Sequence, residues 1–412
     1  MHFDRTILNS VIKSTEEYPV TLITGARQVG KTTLVSYFET KGYKYLTFDD
    51  TDLLKEAKSN PKAFIEKYKY PIVIDEIQRV KELFIEIEAM VNKTRKDEGS
   101  EKANGMYILT GSQKFHLMKG VSESMSGRVG IIEMEPLSQS EIRGWKEKPF
   151  DVDIDRLLSN CNDRVLSDDD LYLSIVRGFY PARWEIEGNP IKKYYSNYLK
   201  TFIERDVFEL INIRDLNKFE NFMKVIASLT GEEYNANNIS KIVGIDNKTV
   251  DAWTSILVAS NIISLLQPYY EESINKRIVK SNKVYFNDTG LACYLIGIDT
   301  VKTLILSSFK GRLVETYIHN EIRKSYLNNN MDFNMYYYRD NNQNEIDFII
   351  LKDGNLLLIE AKAGKKYSSS DVKSFKQLSE TKYNIVGQCI LCTAEEPYRI
   401  ASQVYVFPIR SI

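Results

Sequence analysis

The run TLITGARQVGKTTLVSYF, Thr21 to Phe38, carries the motif G-x-x-x-x-G-K-T, and a glycine loop of that form has a chemical use only between a strand and a helix. Both flanks are present. Val20 to Thr24 is a short buried-strand pattern, and beyond Thr32 the apolar residues Leu34, Val35 and Phe38 recur at helical spacing. In this context successive backbone N–H groups curl around phosphates, and the helix N-terminus adds a favourable dipole. The residues expected to bind ATP are Gly25, Ala26, Arg27, Gln28, Val29, Gly30, Lys31, Thr32 and Thr33. Glycine is needed where the backbone must approach closely, Lys31 neutralises the outer phosphates, and the Thr32 hydroxyl ligates Mg²⁺.

A second element belongs to the same engine. In PIVIDEIQRV, Pro71 to Val80, the apolar run Ile72, Val73, Ile74 suits a central parallel strand, and Asp75-Glu76 falls at its carboxyl end. Ligands of open α/β sheets collect there. Asp75 is expected in the Mg²⁺ shell and Glu76 is expected to polarise the attacking water. A surface carboxylate pair capping a strand is the plain alternative, and the glycine loop weighs against it. MYILTGSQ, Met106 to Gln113, turns abruptly from apolar to polar, so Thr110 or Ser112 is a candidate sensor of the γ-phosphate. Arg128, just before another strand, is either an arginine finger, in cis or across a subunit interface, or a structural arginine at a helix end.

These stretches together resemble a widespread prokaryotic family of AAA-type ATPases that carry a C-terminal domain of unknown function. The resemblance rests on GARQVGKTT, FDD at Phe48 to Asp50, IVIDEIQRV, LTGSQ, and GRV followed by MEPLS. It continues through RGFYPA, Arg177 to Ala182, and YLKTFIERDV, Tyr198 to Val207, and so spans nearly the whole chain. It implies an AAA-type core followed by a helical lid.

Composition sets outer limits. A chain of 412 residues exceeds one ordinary core. Its 56 acidic and 55 basic residues balance, so any DNA surface must be a local patch. No apolar run approaches the roughly 20 residues that cross a bilayer, and MHFDRTILNS has no signal-peptide core, which leads us to expect a cytoplasmic protein without membrane partners. The four cysteines suggest no disulfide framework; Cys389 and Cys392 sit in an apolar strand pattern, where an offset of three points them to opposite faces as core packing.

The middle of the chain reads as a winged helix. One helix runs from about Ala236 to Val243, Gly244 makes the turn, and Asp246 caps a second helix bearing Val250, Trp253 and Leu257. Ile262 to Leu266 follows as a strand, and NKRIVKSNKVYF as a basic hairpin closing on another. The candidate DNA contacts are Asn247, Lys248 and Thr249 on the second helix, with Lys276, Arg277, Lys280 and Lys283 on the wing. Winged helices also serve as spacers or protein-docking modules.

NNQNEIDFIILKDGNLLLIEAKAG, Asn341 to Gly364, reads as a strand, an Asp353-Gly354 turn and a partner strand. Period-two geometry puts Glu345 and Asp347 on one face, and Glu360 and Lys362 likewise share one. With Glu315 on the amphipathic helix of GRLVETYIHNEI, this is the pattern of the PD-(D/E)XK restriction-endonuclease-like fold. Asp347 and Glu360, assisted by Glu315, are expected to bind Mg²⁺, while Lys362 positions or activates a water against a phosphodiester.

The expectation is an α/β protein in four segments: a P-loop AAA-type ATPase core (1–145), a helical lid (146–215), a winged helix (216–295) and a nuclease-like α/β domain (296–412). Its partners would be ATP, Mg²⁺, DNA and a second copy of the chain. Its function would be ATP-dependent DNA processing, or an ATP-driven switch that binds DNA or a protein and cuts nothing.

Overall fold

Every residue of Val20–Thr24 (β1) is buried, which accounts for its unbroken apolar character: both faces of the strand are covered. The computed structural model describes residues 3–112, 125, 127–185, 190–203, 207, 216–271 and 281–412. The chain packs as two units, the first made of residues 1–137 with short returns at 259–261 and 327–330, the second of the remainder.

In the first unit the other strands are Lys44–Thr47 (β2), Ile72–Asp75 (β3), Tyr107–Gly111 (β4) and Val129–Glu133 (β5), in the order β2-β3-β4-β1-β5. All neighbours are parallel. The helices are Leu8–Glu17 (α1), Lys31–Glu39 (α2), Thr51–Ser59 (α3), Pro61–Lys67 (α4) and Leu83–Glu98 (α5). Ile72 and Ile74 of β3 and Leu109 of β4 pack with Phe64 of α4 and with Phe84 and Ile87 of α5 in one core. Full burial of such a side chain stabilises by about 1.5–3 kcal/mol, so a polar residue at Ile74 would open the sheet beside its functional edge. The register matters more than the area. Ile23 of β1 pairs with Thr110 of β4, and Ile74 of β3 pairs with Leu109, so the three strands end level with one another.

The second unit begins with Gln139–Arg143 (α6), Ile154–Asp163 (α7), Asp168–Arg177 (α8), Ala182–Glu185 (α9) and Ile191–Phe202 (α10). Ser167 caps α8, and Asp168, Asp169 and Asp170 fill its first turn, where negative charge complements the helix dipole. Leu216–Ser228 (α11) precedes Glu232–Glu233 (β6), Ala236–Val243 (α12), Asn247–Ala259 (α13), Ile263–Pro268 (β7) and Lys283–Phe286 (β8). Asn235 caps α12, Gly244 ends it in the left-handed region, and the Asp246 carboxylate accepts from the Thr249 N–H. Trp253 lies edge-on against Phe219 and Phe222 of α11, tying α13 down.

Next come Thr289–Leu295 (α14), Val301–Leu306 (α15), Lys310–Leu327 (α16) and the strands Asn334–Arg339 (β9), Glu345–Lys352 (β10), Asn355–Ala361 (β11), Asn384–Cys392 (β12), Tyr398–Ala401 (β13) and Val404–Pro408 (β14). The hairpin β10–β11 turns on Asp353 and Gly354, both at positive φ (49° and 77°), the turn chemistry its sequence calls for. β7 pairs in parallel with β9 through Gln267–Tyr336 and Pro268–Tyr337, so one nine-stranded sheet runs β13-β14-β12-β11-β10-β9-β7-β8-β6.

That continuity corrects the reading of Lys283 as an exposed wing cation. It opens β8, pairs with Leu266 of β7 and Glu233 of β6, and is only 2% exposed. Lys276, Arg277 and Lys280 lie outside the described residues. Cys389 and Cys392 are both buried and free on β12, and burial pushes the Cys392 thiol up to about 11, in keeping with core packing. Among the described residues no helix is long and apolar enough to cross a membrane.

Candidate functional site

The loop between β1 and α2 is built to approach a ligand closely. Gly25 sits at φ 150°, and a Cβ there would come within 2.1 Å of the Met134 carbonyl oxygen, so no other residue fits. Ala26 and Val29 are buried, while Arg27, Gln28, Thr32 and Thr33 reach the surface to differing extents. Lys31 is buried, and its ammonium donates to the carbonyls of Gly25 (2.9 Å) and Ala26 (2.8 Å) within the loop. Arg5 braces the loop from outside the motif, donating to the carbonyls of Val29 at 2.7 Å and Glu135 at 2.8 Å.

Asp75 gathers the ends of the strands. Its Oδ2 accepts from the Thr32 hydroxyl at 3.0 Å and from the Tyr45 hydroxyl at 2.7 Å. Its Oδ1 accepts from the Thr110 hydroxyl and, at 3.1 Å, from the Glu76 N–H. The carboxylate is 4% exposed and accepts two hydrogen bonds on each oxygen. Glu76 follows at φ 59°, ψ 41°, a left-handed conformation that a non-glycine residue adopts only where its surroundings impose it. Burial pushes its carboxyl pKa up, against the opposing pull of Lys31 and Arg27, and Gln78 donates to Glu76 Oε2. The Ser112 hydroxyl, just past β4, is buried with no hydrogen-bond partner among the described residues. A buried orphan hydroxyl, a hydroxyl–carboxylate pair and an ammonium at one sheet edge fit Mg²⁺ and a polyphosphate. Arg128 points elsewhere: its Nε donates to Asn92 at 2.9 Å and its guanidinium pairs with Glu88 at 3.3 Å, both on α5.

The second unit holds the other predicted set. Glu315 on α16, Asp347 on β10, Glu360 on β11 and Lys362 just beyond β11 converge, as the hairpin register requires. Lys362 Nζ lies 2.6 Å from Glu360 Oε2 and 3.5 Å from Asp347 Oδ2, and the Ala361 N–H donates to that same Asp347 oxygen at 2.8 Å. Ser374 donates to the other Glu360 oxygen at 3.1 Å. Burial and the neighbouring Asp347 push the Glu360 carboxyl well up, whereas against its own burial Asp347 is held below the usual range by Lys362 and Lys283. Burial raises Glu315 to about 7, opposed by Lys283.

Lys283 is the unforeseen member. Its Nζ is 3.0 Å from Glu315 Oε1, pairs with Glu345 Oε1, and is 4.0 Å from Asp347 Oδ1, while the Tyr285 hydroxyl donates to Glu315 Oε1 at 2.6 Å. The expected Mg²⁺ ligands Asp347 and Glu360, with Glu315, are therefore each engaged by a lysine, and no group of three or more His, Cys, Asp or Glu among the described residues is disposed to hold a metal ion. As arranged, these side chains do not fit a divalent cation.

The RGFYPA stretch has a structural role. Asp288, the cap of α14, accepts from the N–H of Phe179 (2.6 Å), the N–H of Leu291 (2.7 Å) and the hydroxyl of Tyr195 (2.7 Å). On α13, Asn247 and Lys248 are exposed, whereas the Thr249 hydroxyl is bonded to Asp246 at 2.8 Å.

Residues 17–143 match the family model of an AAA domain, residues 168–302 a domain of unknown function (DUF8612), and residues 310–412 another domain of unknown function (DUF4143). Uncharacterized proteins of Mycobacterium tuberculosis (strain ATCC 25618 / H37Rv) and Mycobacterium bovis (strain ATCC BAA-935 / AF2122/97) are each 24% identical over 396 residues, spanning 96% of this chain and 81% of the relative. Among solved structures, a Walker-type ATPase of Pyrococcus abyssi is 18% identical with a TM-score of 0.43, covering 71% of this chain and 96% of its own. AMPPCP-bound DnaA from Aquifex aeolicus is 15% identical with a TM-score of 0.28, covering 61% and 85%.

Proposed function

We infer that this chain, a member of the prokaryotic AAA-type ATPases that carry a C-terminal domain of unknown function, binds ATP at the Gly25–Thr33 loop and hydrolyses it. The observation that carries the reading is the convergence of Thr32, Tyr45 and Thr110 on Asp75, beside Lys31, at the carboxyl edge of a parallel sheet. Thr32 and Asp75 would hold Mg²⁺, which neutralises charge on the transferred phosphate. Lys31 exchanges its loop carbonyls for phosphate oxygens. Glu76 orients and polarises the attacking water, and its burial makes it the more basic. Ser112 offers its unpartnered hydroxyl to the γ-phosphate, and Thr110 reports on the phosphate through Asp75. Arg128 acts as a finger only by releasing Asn92 and Glu88, so that role requires a rearrangement or a second copy of the chain.

The segment around α12 and α13 suits a winged helix that meets DNA through Asn247 and Lys248. The segment from α16 to β14 suits a PD-(D/E)XK-like fold, in which Glu315, Asp347, Glu360 and Lys362 would make an ATP-dependent nuclease. A second reading, an ATP-driven switch that binds DNA or a protein without cutting, is favoured by the lysine engagement of each carboxylate.

The deciding experiment pairs two variants. Lys31→Ala should lose nucleotide binding, and Glu76→Gln should keep binding and lose turnover; full hydrolysis by the Glu76 variant sinks the assignment. Incubating plasmid and linear DNA with Mg²⁺ or Mn²⁺, with and without ATP, separates the cleaving reading from the switch.

A further inference from the structure

The carboxylate set that resembles a metal-dependent nuclease centre already carries a cation, and that cation arrives from another segment of the chain. Lys283 belongs to β8, on the far side of β7 from the β9–β10–β11 strands, yet its ammonium lies among Glu315, Glu345 and Asp347. Only 3% of its side chain is exposed, and the Tyr337 ring centroid lies 5.5 Å from Nζ. An ammonium so enclosed has given up its hydration, and the surrounding carboxylates replace the lost water. Its 3.0 Å contact with Glu315 is an ammonium distance. A divalent ion draws oxygens to within about 2.0–2.6 Å and cannot share the position.

We propose that Lys283 is the resident cation of this site, a tethered ammonium that stands in for a divalent ion for as long as β8 stays paired between β7 and β6. The proposal rests on the nuclease-like reading of the C-terminal segment and goes beyond it. Admission of metal then requires β8 to move, so the middle segment controls the chemistry of the terminal one.

Nucleotide-free protein carrying Asp75→Asn, which leaves the ATP site out of account, is titrated with Mn²⁺ while the free-ion resonance is followed. With Lys283 present, Mn²⁺ should stay free at protein-stoichiometric concentrations. Lys283→Met, which keeps the length and removes the charge, should bind one Mn²⁺ about tenfold tighter or better, because the vacated carboxylates supply a hard oxygen site. Adding Asp347→Asn should abolish that binding. Binding by the Lys283 protein through Asp347 and Glu360 overturns the proposal, and so does a folded Lys283→Met protein that leaves all Mn²⁺ free. If Lys283→Met does not fold, Lys283→Met with Glu315→Gln, which removes one buried charge of each sign, carries the same readouts. A plasmid assay on the same samples tells the two failures apart. Mn²⁺ bound by Lys283→Met with the plasmid intact upholds the tethered cation and removes cleavage. Mn²⁺-dependent cutting through Asp347 with Lys283 in place overturns the tethered cation and upholds the nuclease.

Discussion

The hydroxyl of Tyr45, on the edge strand β2, donates to Asp75 Oδ2 at 2.7 Å, the same oxygen that accepts from Thr32 at 3.0 Å. Tyr45 thus holds Asp75, the carboxylate proposed to hold Mg²⁺, from the strand beside β3.

Tyr45→Phe removes that donor and little else, since Phe keeps the half-buried ring. We expect the Mg²⁺ concentration for half-maximal ATP turnover to rise about tenfold, as for other groups that orient a metal ligand. Nucleotide affinity measured without metal should not change. An unaltered Mg²⁺ dependence would remove Tyr45 from the site.

Gly178 has φ 75° and ψ −175°, and a Cβ there would lie 1.9 Å from the Tyr195 hydroxyl and 2.7 Å from Asp288 Oδ1. Gly178→Ala should destabilise by about 3 kcal/mol, from a backbone region that essentially only glycine adopts and from the broken Asp288 network. Gly311→Ala, in the helix α16 with nothing within 4 Å, is the control. It should be neutral or stabilising by up to about 1 kcal/mol. Equal melting points for the two variants would contradict the assignment.

Burial lowers His319 from 6.5 to about 3; the ring stacks on Tyr285 at 4.0 Å, and the charges of Arg323 and Lys283 add to the shift against the opposing bond to Asn320. The unfolded chain therefore takes up a proton that the folded chain refuses. Stability is fully present above about pH 6.5 and falls as pH drops toward about 3, by up to about 1.4 kcal/mol per pH unit from this group. His319→Gln should flatten this part of the acid limb in denaturant titrations. An identical limb would mean that His319 accepts its proton inside the fold.

If α13 meets DNA, Lys248→Glu should weaken binding and reduce the slope of log affinity against log salt by about one, since one fewer counterion is released. A slope that does not move puts the surface elsewhere or makes the module a protein dock.

The cluster of Thr32, Thr110 and Asp75 at the sheet edge was legible because its parts obey local rules. A continuous apolar run ending in Asp75-Glu76 announces a buried parallel strand, and the glycine loop needs only its immediate neighbours to be understood. The Asp353-Gly354 hairpin was legible for the same reason, and with it the meeting of Asp347 and Glu360 across the two strands. Tyr45 was not, because its contact depends on which strand lies beside β3, and periodicity does not encode partners. Lys283 misled more thoroughly. The residues before it are basic and polar, as in a solvated wing, whereas its partner Glu315 lies 32 residues away on α16, and Glu345 and Asp347 lie across the sheet junction that the β7–β9 pairing creates. Arg128 read equally well as a finger or a strut, and the choice of Asn92 and Glu88 was set by the packing of α5.

The sheet that runs unbroken from β6 to β13 makes the tail of this protein poor material for cutting and splicing. A fragment starting at residue 296 keeps Glu315, Glu345 and Asp347 but leaves Lys283 behind, and it strips β7 from β9. What remains is an acidic pocket that keeps Lys362 but has lost the ammonium between Glu315, Glu345 and Asp347, beside a row of bare backbone groups, the kind of edge on which copies of a chain zip together. Expressed alone, such a piece should precipitate as strand-paired aggregates, and a gene rearrangement that joined it to a new neighbour would pass on the same defect. A portion that begins before β6 keeps the whole sheet and Lys283 together.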